Sequence, residues 1–116
     1  MIKVKVYNMS GNELPSYTKR GDAGKDIRAS DSFSLRQGET VIIPTGLFVA
    51  IPPGYEIQVR PRSGLSVNTK LRVANTPGTI DSDFRGELCV IMDNIGEEPI
   101  NIRKGDRIAQ LVLAVV

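Results

Sequence analysis

The sequence predicts an all-β fold, a jelly-roll-like β-barrel or sandwich with one short helix. Almost every segment either alternates apolar with polar residues or is a short apolar run, and Gly, Pro, Asn and Asp punctuate these segments at close intervals. Many short strands at even spacing bury one face each, and they do so by closing on one another as two packed sheets or a barrel. Only Ser63 to about Lys70 offers a helical stretch, with Ser63 placed to cap it.

Taken in order, Met1 to Tyr7 alternates, with Ile2, Val4 and Val6 facing one way. Thr40 to Ile43 and Leu47 to Ile51 are two runs separated by Pro44-Thr45-Gly46, read as antiparallel strands. Pro52-Pro53-Gly54 turns the chain into Tyr55, Ile57 and Val59, which alternate with Glu56, Gln58 and Arg60. Leu71 and Val73 alternate again, and Leu88-Cys89-Val90-Ile91-Met92 is a short apolar run. Ile100 and Ile102 precede a Lys104-Gly105-Asp106 turn, and Ile108 to Val116 closes the chain almost wholly in apolar residues. That last strand is either central in the core or packed on, or exchanged with, a neighbouring subunit, because as a free edge it would be sticky.

At 116 residues the chain is a single domain, residues 1–116, able to bury about two-thirds of its unfolded surface. It holds one cysteine, Cys89, in an apolar strand, where it reads as a small buried hydrophobe in a reducing compartment. The N-terminus lacks the continuous apolar region of a signal peptide, and no later run is long enough to span a bilayer, so a cytoplasmic protein is expected. Net charge is +2 with no run of lysines or arginines, which argues against stable nucleic-acid binding.

The chain contains no histidine, which removes the commonest general base and the commonest transition-metal ligand together. Catalysis, if present, relies on Asp, Glu, Lys or Tyr, and any metal is a hard ion such as Mg²⁺ held by oxygens.

Asn75 to Leu88 then stands out. It reads as a hairpin loop between Leu71-Val73 and Leu88-Met92, carrying Asp81, Asp83, Phe84 and Arg85 at its tip. A loop that only reverses the chain needs no ring between its charges. Pro61-Arg62-Ser63-Gly64-Leu65 offers a guanidinium fork, a hydroxyl and close-approach backbone at the mouth of the helix, a set suited to a polyphosphate.

Four stretches, in order, resemble the motifs of the trimeric dUTPase family: Ala23-Gly24-Lys25-Asp26-Ile27-Arg28-Ala29; Pro61 to Leu65; Asn75 with Gly78 to Gly86; and Gly105-Asp106-Arg107-Ile108-Ala109-Gln110-Leu111. The resemblance implies a homotrimer with sites between subunits that hydrolyses dUTP to dUMP and pyrophosphate with Mg²⁺. It implies that Asp81 activates the water attacking the α-phosphate, and that Arg62, Ser63, Gly64 and Gln110 bind phosphates. Asn75, Thr79, Ile80, Asp81, Phe84 and Cys89 would hold uracil and deoxyribose, and Asp26 would act near the metal through water. The hairpin is thus expected to hold the base, with Asp81 beside the reacting phosphate.

Two departures accompany the resemblance. Phe84 stands where the family usually has tyrosine, so stacking survives and a phenolic hydrogen bond does not. The family's glycine-rich C-terminal arm has no counterpart before Val116, and the expectation is that a mobile tail is omitted from the sequence as given. Of the alternatives, a nucleotide-binding regulatory protein without turnover is compatible with a missing arm. A dCTP deaminase would need its catalytic glutamate where Ile91 stands.

Overall fold

The computed structural model describes residues 2–17 and 19–116; Met1, the first residue of the predicted N-terminal strand, lies outside them. In chain order the elements are β1 (Lys5–Asn8), β2 (Gly24–Arg28), β3 (Phe33–Leu35), β4 (Thr40–Pro44), β5 (Leu47–Ala50), β6 (Tyr55–Arg60), α1 (Ser63–Asn68), β7 (Leu71–Val73), β8 (Gly78–Ile80), β9 (Cys89–Asn94), β10 (Ile100–Ile102) and β11 (Arg107–Val115). The all-β expectation with one short helix is met.

The strands assemble antiparallel into a four-stranded sheet, β2-β11-β6-β8, a three-stranded sheet, β4-β9-β7, and two pairs, β1-β5 and β10-β3. Alternation decides which side chains enter the core. Ile27, Ala109, Leu111, Val59 and Ile57 line the inner face of the larger sheet, and Ile43, Val90, Met92, Leu71 and Val73 that of the smaller. All belong to one buried cluster, so the two sheets pack face to face. β11 runs between β2 and β6, which decides in favour of the central-strand reading of the apolar C-terminus.

Polar groups inside this core are satisfied. Asn94 is fully buried; its Nδ2 donates to the Leu35 carbonyl at 3.0 Å and the Glu98 carbonyl at 2.8 Å, and its Oδ1 accepts from the Gly96 N–H at 2.9 Å. Among the described residues no buried side-chain nitrogen or oxygen lacks a partner.

Two expectations are corrected. Residues 71–92 are not one hairpin. β7 and β9 do pair, with Val73 opposite Met92, but between them Gly78–Ile80 leaves to pair with β6 in the other sheet. Ser63 does not cap the helix: Arg62 is the N-cap residue, and no side chain accepts from the first-turn N–H groups there. The reason is that a guanidinium only donates and so cannot accept from an N–H, and Ser63 has already entered the helix.

The β4–β5 turn anchors the end of the excursion. Thr45 is 1% exposed and its Oγ1 donates to the Leu88 carbonyl at 2.6 Å, while the Leu88 N–H donates to the Leu47 carbonyl at 2.8 Å. The Gly46 N–H donates to Glu87 Oε2 at 2.9 Å. Gly46 has φ +70° and a Cβ there would sit 2.7 Å from the Ser10 backbone, so both its conformation and its surroundings require glycine.

Candidate active site

The outer face of the larger sheet is where alternation sends the residues that do not enter the core. In register, Asp26 on β2 lies opposite Gln110 on β11, and Gln110 lies opposite Arg60 on β6. Past the end of β6 the chain runs through Pro61 to Arg62, whose Nε donates to Asp26 Oδ1 at 3.0 Å. Arg107 reaches the other carboxylate oxygen at 3.6 Å, its strand kinked by an irregularity between Arg107 and Ala109. Asp26 and Arg62 are each about three-quarters buried, so this is a partly desolvated ion pair and not a surface contact.

Gln110 Nε2 donates to the Pro61 carbonyl at 3.1 Å, which ties the amide to the segment carrying Arg62. Ser63 and Gly64 are exposed at the start of α1, where the first-turn N–H groups have no partner within the helix. A depression of about 390 Å³ opens beside them, lined by Arg28, Arg62, Arg107, Asp106 and the apolar side chains Leu65 and Ile108. Three guanidiniums around a shallow hollow suit an anionic ligand. Asp26 and Arg62 are in contact, Gln110 is tied to Pro61 next to them, and Ser63 and Gly64 follow Arg62 in the chain.

The other predicted residues form a second group. Asn75 lies over Gly78, its Nδ2 3.3 Å from where a Cβ there would stand. Thr79 and Ile80 occupy β8, and Asp81 follows on the surface. The loop beyond is held by its own backbone and by Arg85: the Phe84 N–H donates to the Asp81 carbonyl at 3.1 Å, and Arg85 Nη1 donates to the carbonyls of Ser82 at 2.7 Å and Phe84 at 3.0 Å. The Phe84 ring folds onto Gly86, where a Cβ would stand only 2.8 Å from the ring edge, and remains 39% exposed. Cys89 is half-buried at the start of β9; burial, then the nearby Glu87 carboxylate, pushes its thiol pKa up. It is a weak nucleophile.

Within one chain the two groups stay apart. Ile80 pairs with Ile57, while Arg62 lies five residues further along the same direction of chain, and Asp81 lies one residue beyond Ile80 the opposite way. At about 3.3 Å per residue the separation is roughly 20 Å, beyond side-chain reach. Within a single chain Asp81 therefore does not stand beside Arg62.

Some contributors escaped residue-by-residue reading. Arg107, which the sequence places only within the fourth stretch, shares the Asp26 carboxylate with Arg62. Arg85 had been noted for its charge, whereas its contact is to loop carbonyls.

A family model described as dUTPase matches residues 10–116. The chain belongs to the dUTPase family. Among curated dUTPase relatives, the deoxyuridine 5'-triphosphate nucleotidohydrolase of Anaeromyxobacter sp. is 54% identical over 117 residues, covering 99% of this chain and 80% of the relative. That of Fusobacterium nucleatum is 52% identical over 114 residues, covering 97% and 78%. Solved dUTPase structures share the fold at lower identity. A variant of the Staphylococcus bacteriophage 80alpha dUTPase with dUpNHpp superposes with TM-score 0.92 at 27% identity, covering 98% of this chain and 83% of that one. A variant of the Staphylococcus aureus phage phi11 dUTPase, described with a coordinated structural Mg(II) ion, superposes with TM-score 0.92 at 26% identity, covering 98% and 91%.

Proposed function

We propose that this dUTPase-family chain hydrolyses dUTP to dUMP and pyrophosphate, clearing dUTP from the nucleotide pool and supplying dUMP for dTMP synthesis. The observation that carries the reading is the Arg62–Asp26 ion pair, with Gln110 tied to the same segment through the Pro61 carbonyl, beside a hollow lined by Arg28, Arg62 and Arg107. Such a set suits a triphosphate held by charge and amide donors, and the family supplies the identity of the nucleotide.

In this reading Asp81 orients the attacking water and accepts its proton. The water oxygen forms a bond to the α-phosphorus while the bond to the bridging oxygen breaks in line, releasing pyrophosphate and leaving dUMP. Arg62, Ser63, Gly64 and Gln110 hold the phosphates. Asn75, with the backbone of Thr79, Ile80 and Cys89, reads the uracil edge, and the Phe84 ring lies against deoxyribose.

Mg²⁺ fits the residues at hand as an ion arriving with the triphosphate. Among the described residues no group of three or more Asp, Glu, Cys or His side chains comes together, so there is no ready-made cage. Asp26 is a single carboxylate, about three-quarters buried between two guanidiniums, suited to accept hydrogen bonds from a hydrated ion. When bound, the ion would neutralise charge on the phosphate oxygens.

The roughly 20 Å between Asp81 and Arg62 supports a homotrimer in which one subunit brings the phosphate set and a neighbour brings the loop of Asp81. An apolar groove of about 660 Å³, lined by Ile2, Val4, Val6, Leu14, Val49 and Leu113 among others, supplies surface for a second copy to cover. We place the protein in the cytoplasm, as expected for a family of nucleotide-pool enzymes; no helix of the described residues is long and apolar enough to cross a membrane.

Pyrophosphate release from dUTP, dTTP, dCTP and UTP tests the reading. Strong preference for dUTP is expected, with Asp81→Asn retaining fold and nucleotide binding while losing turnover; equal rates on dUTP and dTTP refute the base pocket.

A further inference from the structure

Gly24 and Gln110 occupy the same face of neighbouring strands. Asp26 pairs with Gln110 and Gly24 with Val112, so Gly24 is the diagonal neighbour of Gln110 across the β2–β11 ladder. The Gln110 side chain lies directly on it: a Cβ at position 24 would stand 2.1 Å from Gln110 Oε1, 2.9 Å from Cδ and 3.3 Å from Cγ. Gly24 is not among the positive-φ glycines, so its backbone has a conformation open to any residue. What the glycine supplies is room.

We propose that Gly24 is a positioning residue, its missing side chain forming the slot that holds the Gln110 amide against the Pro61 carbonyl in its phosphate-binding pose. The proposal rests on the reading of Gln110 as a phosphate ligand. An amide –NH₂ has two hydrogens. The Pro61 bond takes one and fixes the plane of the group, which leaves the other for a phosphate oxygen next to Arg62. A methyl group at position 24 collides with the far end of a flexible side chain and not with backbone, so the amide must swing away while the strand ladder stays in place. Catalysis should therefore suffer much more than folding.

The test compares Gly24→Ala, Gln110→Ala and the double variant by kcat and KM for dUTP, by melting temperature, and by a crystal structure of Gly24→Ala. Gly24→Ala is expected to raise KM about tenfold, the size of one lost hydrogen bond to a charged ligand group. Its melting temperature should stay within about 3 °C of the parent. In the Gln110→Ala background the same change should add less than about twofold, because no amide remains to be displaced. An undiminished effect in that background overturns the proposal, since glycine would then matter to β2 alone. Gln110→Ala with unchanged KM instead removes the phosphate reading of Gln110. The slot is then judged by the crystal structure: loss of the Gln110–Pro61 bond in Gly24→Ala upholds it, and retention overturns it.

Discussion

If the active site is shared between chains, two inactive variants should rescue one another. Arg62→Ala removes the guanidinium fork from the phosphate cradle, and Asp81→Asn removes the proposed base; neither group touches the other within a chain, since roughly 20 Å of strand β6 and its continuation separates them. An intact site in a trimer takes Arg62 from one subunit and Asp81 from a neighbour. With the two variants co-refolded in equal amounts, each requirement is met with a probability of about one half, so about a quarter of all sites carry both residues unaltered. Pyrophosphate release from the mixture should therefore reach about a quarter of the wild-type rate, while each variant alone stays near background. Arg62→Ala also releases Asp26, at a stability cost of about 1–3 kcal/mol for a partly desolvated charge-assisted bond, which melting curves on the separate variants will register. Activity of the mixture no higher than that of its components would refute the shared site and require Asp81 to approach Arg62 within one subunit.

Three further outcomes follow from the same geometry. Met92→Ala, at a fully buried position between the sheets, should destabilise the fold by about 3 kcal/mol, read from denaturant midpoints at unchanged slope. Phe84→Ala removes the ring that folds over Gly86 and should lower the dUTP-to-UTP ratio of kcat/KM by up to about tenfold. Cys89 should react with iodoacetamide at pH 8 more slowly in the native protein than in urea. Burial and Glu87 raise its pKa, so less thiolate is present at a pH below both values, and the gap should narrow as pH rises through the native pKa.

The strands were legible wherever a run was long enough to alternate. Ile57 and Val59 point inward and Gln58 outward as their period demands, and Leu71 and Val73 are both buried. β2 was not legible as a strand, because Gly24–Arg28 contains one large apolar residue, Ile27, and its pairing with β11 is specified from the far end of the chain. β8 was hidden for a related reason. Three residues carry too little pattern to announce themselves, and a non-local pairing with β6 took Gly78–Ile80 out of what looked like a plain hairpin. In the site, the chemistry of Arg62-Ser63-Gly64 was visible in the letters, whereas Asp26 and Gln110 were named through the resemblance of their stretches to the family's motifs. The contribution of Gly24 was not visible, because it consists of atoms that are absent. That of Arg107 emerges only when β11 pairs with β2 and its guanidinium comes to 3.6 Å from Asp26.

Strand β6 shows why a fold of this kind would tie catalysis to assembly. Its inward residues Ile57 and Val59 are core, and its outward residues Glu56, Gln58 and Arg60 form a hydrogen-bonded ladder, Arg60 Nη2 donating to Gln58 Oε1 at 2.6 Å and Gln58 Nε2 to Glu56 Oε1 at 3.3 Å. A strand braced on both faces cannot bend to bring its ends together. The loop of Asp81 hangs near its first residues and the phosphate cradle sits past its last, so the two are held apart by the same packing that makes each rigid. A general base must stand within hydrogen-bond reach of the water it activates, and that water must touch the α-phosphorus. On the proposed reading, in which Asp81 is the base and Arg62 holds the phosphates, rigid placement leaves each chain dependent on another for half of the site.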